Sequence, residues 1–159
     1  MLEPLCGSHA QEMAVVLMDP SLHKFTGGLP ATSEQLQERY ARLVRGSADS
    51  NIVWLNWVLR ERDGGQLVGT VQATVERVVG GCRGEVAWVV GTPWQHHGLA
   101  KEAAAALVAW LVTRGCGSVH AHIHRDHLAS GAVARAAGLT PGREGSAGEV
   151  LWRRTWGPG

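Results

Sequence analysis

The run Gln95-His96-His97-Gly98-Leu99-Ala100 lies between an apolar, strand-like stretch and a helix-like stretch. A helix start presents backbone N–H groups without partners and the positive end of the helix dipole, so such a loop suits an anion. Gly98 lets the backbone come close to a phosphate, and Ala100 leaves the first turn unobstructed. A second group is histidine-rich. His120, His122 and His124 alternate along one strand face, and His122-Ile-His124-Arg-Asp126-His127 adds further side chains of the types that bind metals. Phenol chemistry is confined to one position, because Tyr40 is the only tyrosine.

The elements that must position these residues can be read from periodicity. Ser8-His9-Ala10-Gln11 reads as a capping box opening a helix that runs to about Met18, with Asp19-Pro20 ending it. A second helix is expected from Thr32 or Ser33 to Gly46, with Leu36, Tyr40 and Leu43 on its buried face. Strands follow over 52–59, 67–78 and 85–90, joined by glycine turns at 63–65 and 80–84 as an antiparallel meander. Next comes a helix with Leu99, Ala103, Leu107, Trp110 and Leu111 on one face, stopped by Gly115. A strand over 118–124, a short helix over 130–137 and a strand over 150–156 complete the chain, and residues 2–5 suit a short first strand. This order predicts a single α/β (α+β) domain over 1–159, with one mixed, largely antiparallel sheet and helices on both faces.

Composition narrows the function. The 159 residues carry 15 Lys+Arg against 14 Asp+Glu, a net charge of +1, which gives no electrostatic footprint for nucleic acid or an anionic membrane. Three cysteines without a C-x-x-C pair suggest a reducing compartment, and no secretory leader is recognisable, so a cytoplasmic location is expected. The seven tryptophans read mainly as core and sheet packing, with Trp88 and Trp94 flanking the anion loop. Arg39, Arg42 and Arg45 read as a solvated helix face.

Gln-x-x-Gly-x-Ala after Glu85-Val-Ala-Trp-Val-Val90 resembles the acyl-CoA pyrophosphate loop of the GNAT superfamily of N-acetyltransferases. The segment His127-Leu-Ala-Ser130-Gly-Ala-Val133 through Gly138-Leu139 resembles that family's Asn-x-x-Ser followed by a helix ending in Gly-Phe. Asp19-Pro20, the loop through Gly27-Gly28, and Gln66-Leu-Val-Gly69-Thr70 are similar to the branch containing ribosomal-protein N-terminal acetyltransferases.

The resemblance implies a GNAT-like sheet with acetyl-CoA in a splayed gap between the strands at 85–90 and 118–124. Backbone groups of Trp88, Val89 and Val90 would bond the pantetheine arm, and amides of Gln95, His96, His97, Gly98, Leu99 and Ala100 the pyrophosphate. The implied reaction is direct acetyl transfer to a primary amine, either a protein N-terminus or a small molecule. Glu85 would accept the ammonium proton through water, its structural alternative being a surface ion pair with Arg83. A Val89 or Val90 amide would stabilise the oxyanion. Many relatives protonate the leaving thiolate with a tyrosine on the last helix, which this chain lacks. The work falls to Ser130, His127 or water, although Ser130 also suits an N-cap. His23 and Phe25 would touch the acceptor, and a homodimer is a family-level expectation. A non-catalytic CoA-binding sensor is the alternative that the missing phenol favours.

The histidine run also resembles the H-x-H-x-D-H signature of metallo-β-lactamase-type hydrolases. That family needs further ligands well downstream, and no histidine follows His127, so no metal is expected.

Overall fold

The computed structural model describes residues 1–156. Its strands are β1 (Leu2–Pro4), β2 (Ile52–Arg60), β3 (Leu67–Val78), β4 (Gly81–Val90), β5 (Cys116–His124), β6 (Thr140–Glu144) and β7 (Glu149–Thr155). Its helices are α1 (Ala10–Val16), α2 (Ser33–Arg45), α3 (Leu99–Thr113) and α4 (Leu128–Ala136). The strands form one sheet in the order β1-β2-β3-β4-β5-β7-β6, and β4–β5 is its parallel contact.

The two sheet faces carry separate cores. Ala103, Leu107 and Leu111 of α3, with Val133 and Ala134 of α4, pack on Val71, Val86 and Val119. Met13, Val16, Leu36 and Tyr40 of α1 and α2 cover Val58 and Leu67 on the opposite face. Each of the Val, Leu and Met side chains among these contributes about 1.5–3 kcal/mol when fully buried, so both layers hold the sheet in place. Tryptophans join this packing as expected, with Trp57 meeting Trp110 edge-on at 5.6 Å.

Local chemistry explains several boundaries. At α2, Gln35 N donates to Thr32 Oγ1 at 3.3 Å and Thr32 N to Gln35 Oε1 at 2.9 Å, a reciprocal cap at the expected position. Ahead of α1 the cap differs from the one read at Ser8, since it closes a 3-10 turn over Gly7–His9. Cys6 N donates to His9 Nδ1 at 3.2 Å, and the helix runs only from Ala10 to Val16. His9 is buried and pinned by Glu3 at 3.1 Å, while Arg60 holds Glu3 at 2.7 Å. That ion-paired tie from β2 decides the register of the first turn.

Two further corrections concern the sheet. The glycine-rich segment read as a turn through Gly84 belongs to β4, because Val78 already faces Gly81 across a two-residue connection. Strand β6 was not expected, since Thr140-Pro-Gly-Arg-Glu144 has turn composition. It lies at the sheet edge on β7 with every residue exposed, where Pro141 removes a donor without cost to a central ladder.

Close approach of β3 and β4 depends on Gly69. A Cβ at this position would lie 2.2 Å from the Val89 carbonyl oxygen and 3.0 Å from Val90 Cα, both backbone atoms that cannot swing aside. Gly69→Ala is expected to destabilise the fold by at least about 1–3 kcal/mol, read as a lower urea midpoint.

Candidate functional site

The parallel ladder between β4 and β5 runs from Cys82/Cys116 to Glu85/His120 and then stops. Beyond that point β4 stays paired to β3 as far as Val90/Gly69, and β5 stays paired to β7 as far as His124/Glu149. Each strand follows its own antiparallel neighbour, so the sheet opens between them. The N–H of Gly91 donates to Val68 on β3 at 2.9 Å. Strand alternation therefore turns the Val90 backbone the other way, toward the gap, together with that of Trp88. The Val89 carbonyl, by contrast, turns toward β3, where a Cβ on Gly69 would lie 2.2 Å from it. Gln95 Nε2 donates to the Val90 carbonyl at 3.0 Å, tying the loop to the end of β4.

The loop after this strand curls back on itself. His96 (φ 65°) and Gly98 (φ 79°) are both left-handed. Gly98 is the N-cap of α3, whose first internal bond runs from Glu102 N to the Gly98 carbonyl at 3.0 Å. The N–H groups of Leu99, Ala100 and Lys101 thus have no partner inside the helix. A Cβ on Gly98 would meet nothing within 4 Å, so the cradle opens to solvent where an anion would sit. The loop is also braced from the segment after α1: Thr92 Oγ1 donates to Asp19 Oδ2 at 2.6 Å, a bond that holds the Asp19 carboxyl below its ordinary pKa.

Glu85 stands at the point where the strands part. Its Oε1 lies 3.1 Å from His122 Nδ1 and its Oε2 3.6 Å from His120 Nε2. Arg83 is not the partner of Glu85, because it pairs with Glu76. Burial pushes the His120 imidazole below its ordinary pKa, against the opposing pull of Glu85. Val86 and Val90 point into the α3 core, so Glu85 occupies the other face of the sheet, where it remains exposed. The structure thereby joins Glu85 to two histidines that sequence reading had placed only in a histidine run. The signal was the strand alternation; what was missing was the β4–β5 register.

The start of α4 lies beside the far end of β5. His127, not Ser130, is its N-cap, and the His127 Nδ1 accepts from Ser130 N at 3.4 Å. This corrects the capping alternative for Ser130, which lies inside the helix. Phe25 stacks on the His127 ring at 4.4 Å and approaches His124 at 5.3 Å, so the loop after α1 closes on the same corner. His23 Nε2 on that loop is buried with no hydrogen-bond partner among the described residues. Tyr40 is buried between α1, α2 and the sheet, outside this corner.

Burial lowers the His127 pKa, and His124 adds to the effect. The unfolded chain therefore takes up this proton at a higher pH than the folded one. Stability carried by the neutral ring is present above about pH 6.5 and is lost as the pH falls below it. Imidazole NMR should show His127 titrating below the ordinary histidine value, and Phe25→Ala should move it upward by exposing the ring. An unshifted wild-type resonance would contradict this.

An open mixed sheet, splayed beside a glycine-capped helix start, is an architecture suited to an elongated anionic ligand. The chain belongs to the GNAT acetyltransferase family: it matches the family described as "Acetyltransferase (GNAT) domain" over residues 1–140. It is accordingly an N-acetyltransferase that draws its acetyl group from acetyl-CoA. No curated protein matches the chain in sequence.

Solved structures agree on the fold. A ribosomal-protein-S5-alanine acetyltransferase from Vibrio fischeri is 16% identical, with TM-score 0.78 over 99% of this chain and 94% of its own. A ribosomal L7/L12 alpha-N-protein acetyltransferase in complex with coenzyme A is 13% identical, with TM-score 0.81 over 98% of this chain and 93% of its own. An aminoglycoside acetyltransferase in complex with coenzyme A is 15% identical, with TM-score 0.77 over 98% of this chain and 94% of its own. No helix among the described residues is long and apolar enough to cross a membrane.

Proposed function

We propose that this chain, acting as one domain, acetylates a primary amine by direct transfer from acetyl-CoA, the amine being a protein N-terminus or a small molecule. The observation that carries the reading is the end of the β4–β5 ladder at Glu85/His120, with an acidic side chain at the fork and a helix start beyond it. Trp88 and Val90 would bond the pantetheine arm as a strand would. The amides from Gln95 to Ala100 would hold the pyrophosphate.

When bound, acetyl-CoA supplies a thioester carbonyl, and the amine nitrogen bonds to its carbon as the C–S bond breaks. Glu85, steadied by His122, takes the ammonium proton through water and so frees the nitrogen lone pair. The Val90 N–H faces the gap and would donate to the developing oxyanion. Ser130 and His127 stand at the start of α4 and are the candidates for returning a proton to the thiolate. His127 Nδ1 is engaged as an acceptor, which leaves the hydrogen of the neutral ring on Nε2. His23 and Phe25 would contact the acceptor, supported by the Phe25–His127 stack and the unpartnered His23 Nε2. The near-zero net charge supports an amine rather than a nucleic acid as the partner, and the free cysteines support a cytoplasmic setting.

Thiol release from acetyl-CoA over a panel of N-terminal peptides and small amines tests the reading. Amine-dependent release with at least one acceptor is expected. Tight CoA binding without release across the panel would instead favour a sensor.

A further inference from the structure

We propose that Glu85, His120 and His122 form a binding site for a divalent transition-metal ion, with Zn²⁺ the best fit. The three side chains each offer one ligand atom, and these atoms all lie within 4.8 Å of one another. A tetrahedral zinc ion with bonds of about 2.0–2.1 Å requires ligand atoms about 3.3–3.4 Å apart. Glu85 Oε1 lies 3.1 Å from His122 Nδ1, close to that value, while the carboxylate's other oxygen, Oε2, lies 3.6 Å from His120 Nε2, so a turn of the carboxylate is needed for one oxygen to face both rings. The ligand nitrogens of the two imidazoles lie within 4.8 Å of each other on rings that stand edge-to-face with centroids 5.7 Å apart, and ring rotation closes this edge on the ion.

The fold supplies this arrangement by construction. His120 and His122 are two apart on β5 and so share a face, while Glu85 is the direct β4 partner of His120 in the parallel ladder. It is also the last pair of that ladder, so the space next to it is open rather than filled by a neighbouring strand. Side-chain exposure of 49% for Glu85 and 44% for His122 leaves a fourth coordination position for water or a ligand. Two imidazoles and one carboxylate suit zinc, whereas Mg²⁺ and Ca²⁺ require predominantly oxygen ligands. His124, Asp126 and His127 do not join the set, as their rings and carboxylate are engaged with one another, with Phe25 and with the α4 cap.

Zinc binding requires only this ligand geometry. Its consequence rests on the proposed role of Glu85: a carboxylate bound to Zn²⁺ cannot accept the ammonium proton, and the ion places positive charge where the ammonium must approach. Zinc would then inhibit competitively with the amine and not with acetyl-CoA.

The test uses the full chain without a histidine tag, stripped with a chelator and titrated calorimetrically with zinc chloride. One equivalent should bind, and excess Mg²⁺ should not displace it. Glu85→Gln and His122→Asn alter exposed side chains, and each should weaken binding by more than the about 10–100-fold that outer-shell changes cost. Cobalt(II) should give tetrahedral visible bands without a thiolate charge-transfer band. The proposal is overturned if zinc does not bind, if both variants bind it as the wild type does, or if a thiolate band shows that cysteines hold the ion. Stoichiometric binding that spares turnover would keep the metal site and remove Glu85 as the base.

Discussion

Glu85→Gln is expected to leave CoA affinity unchanged and to lower kcat/KM with an amine acceptor by about 10²–10⁴-fold at neutral pH, the range contributed by a positioned general base. The replacement has nearly the same shape, and its amide can still meet His122, so the change removes basicity and charge rather than packing. The position is exposed, and stability should be preserved. The pH dependence separates a base from a merely structural group. A peptide N-terminus has a pKa of about 7.7–8.0, so raising the pH supplies more free amine and reduces the need for a base. The deficit should therefore shrink as pH rises. A deficit independent of pH would assign Glu85 a positioning role, and undiminished activity would remove it from the reaction.

The second large effect is expected at Gly98. Gly98→Trp should weaken CoA binding by at least about 100-fold, equivalent to about 2.7 kcal/mol, while the domain stays folded. Two features combine. At φ 79° a side chain is strained by about 1–2 kcal/mol. The Cβ would also point into open space, so the indole would fill the cradle that the phosphates need rather than collide with the protein. That strain should lower Tm by only a few degrees in a chain of this length. Calorimetry with CoA, alongside a melting curve, reads both quantities. Wild-type affinity in the variant would place the pyrophosphate elsewhere.

These two residues differ in how far they could be read in advance. The place of Gly98 before the helix start was legible because it is local: a glycine there caps the helix in the same way in any fold that ends a strand at that point. The helices α2 and α3 were legible for the same reason, since Thr32, the apolar spacing of Leu99 to Leu111 and Gly115 act within a few residues. Glu85 is marked in the sequence only by family resemblance. Its partners lie 35 and 37 residues later (120 − 85 and 122 − 85), and no local pattern encodes a parallel register over that span. The short α1 shows the same limit, because Glu3 and Arg60 settle the placement of His9 from outside the helix. Strand β6 escaped notice because an edge strand tolerates Pro and Gly that a central strand would not.

The single tyrosine illustrates both sides. Composition alone removed a phenol from the last helix, and the structure places Tyr40 in the core between α1, α2 and the sheet. Sequence by itself determined most of the elements, the glycine-capped loop and the absence of that acid, since each follows from residues close along the chain. Only tertiary structure decided that the β4–β5 ladder ends at Glu85 and His120. Pairing there is set by the competing antiparallel partners β3 and β7, and that competition brings a carboxylate and two imidazoles together at the mouth of the gap.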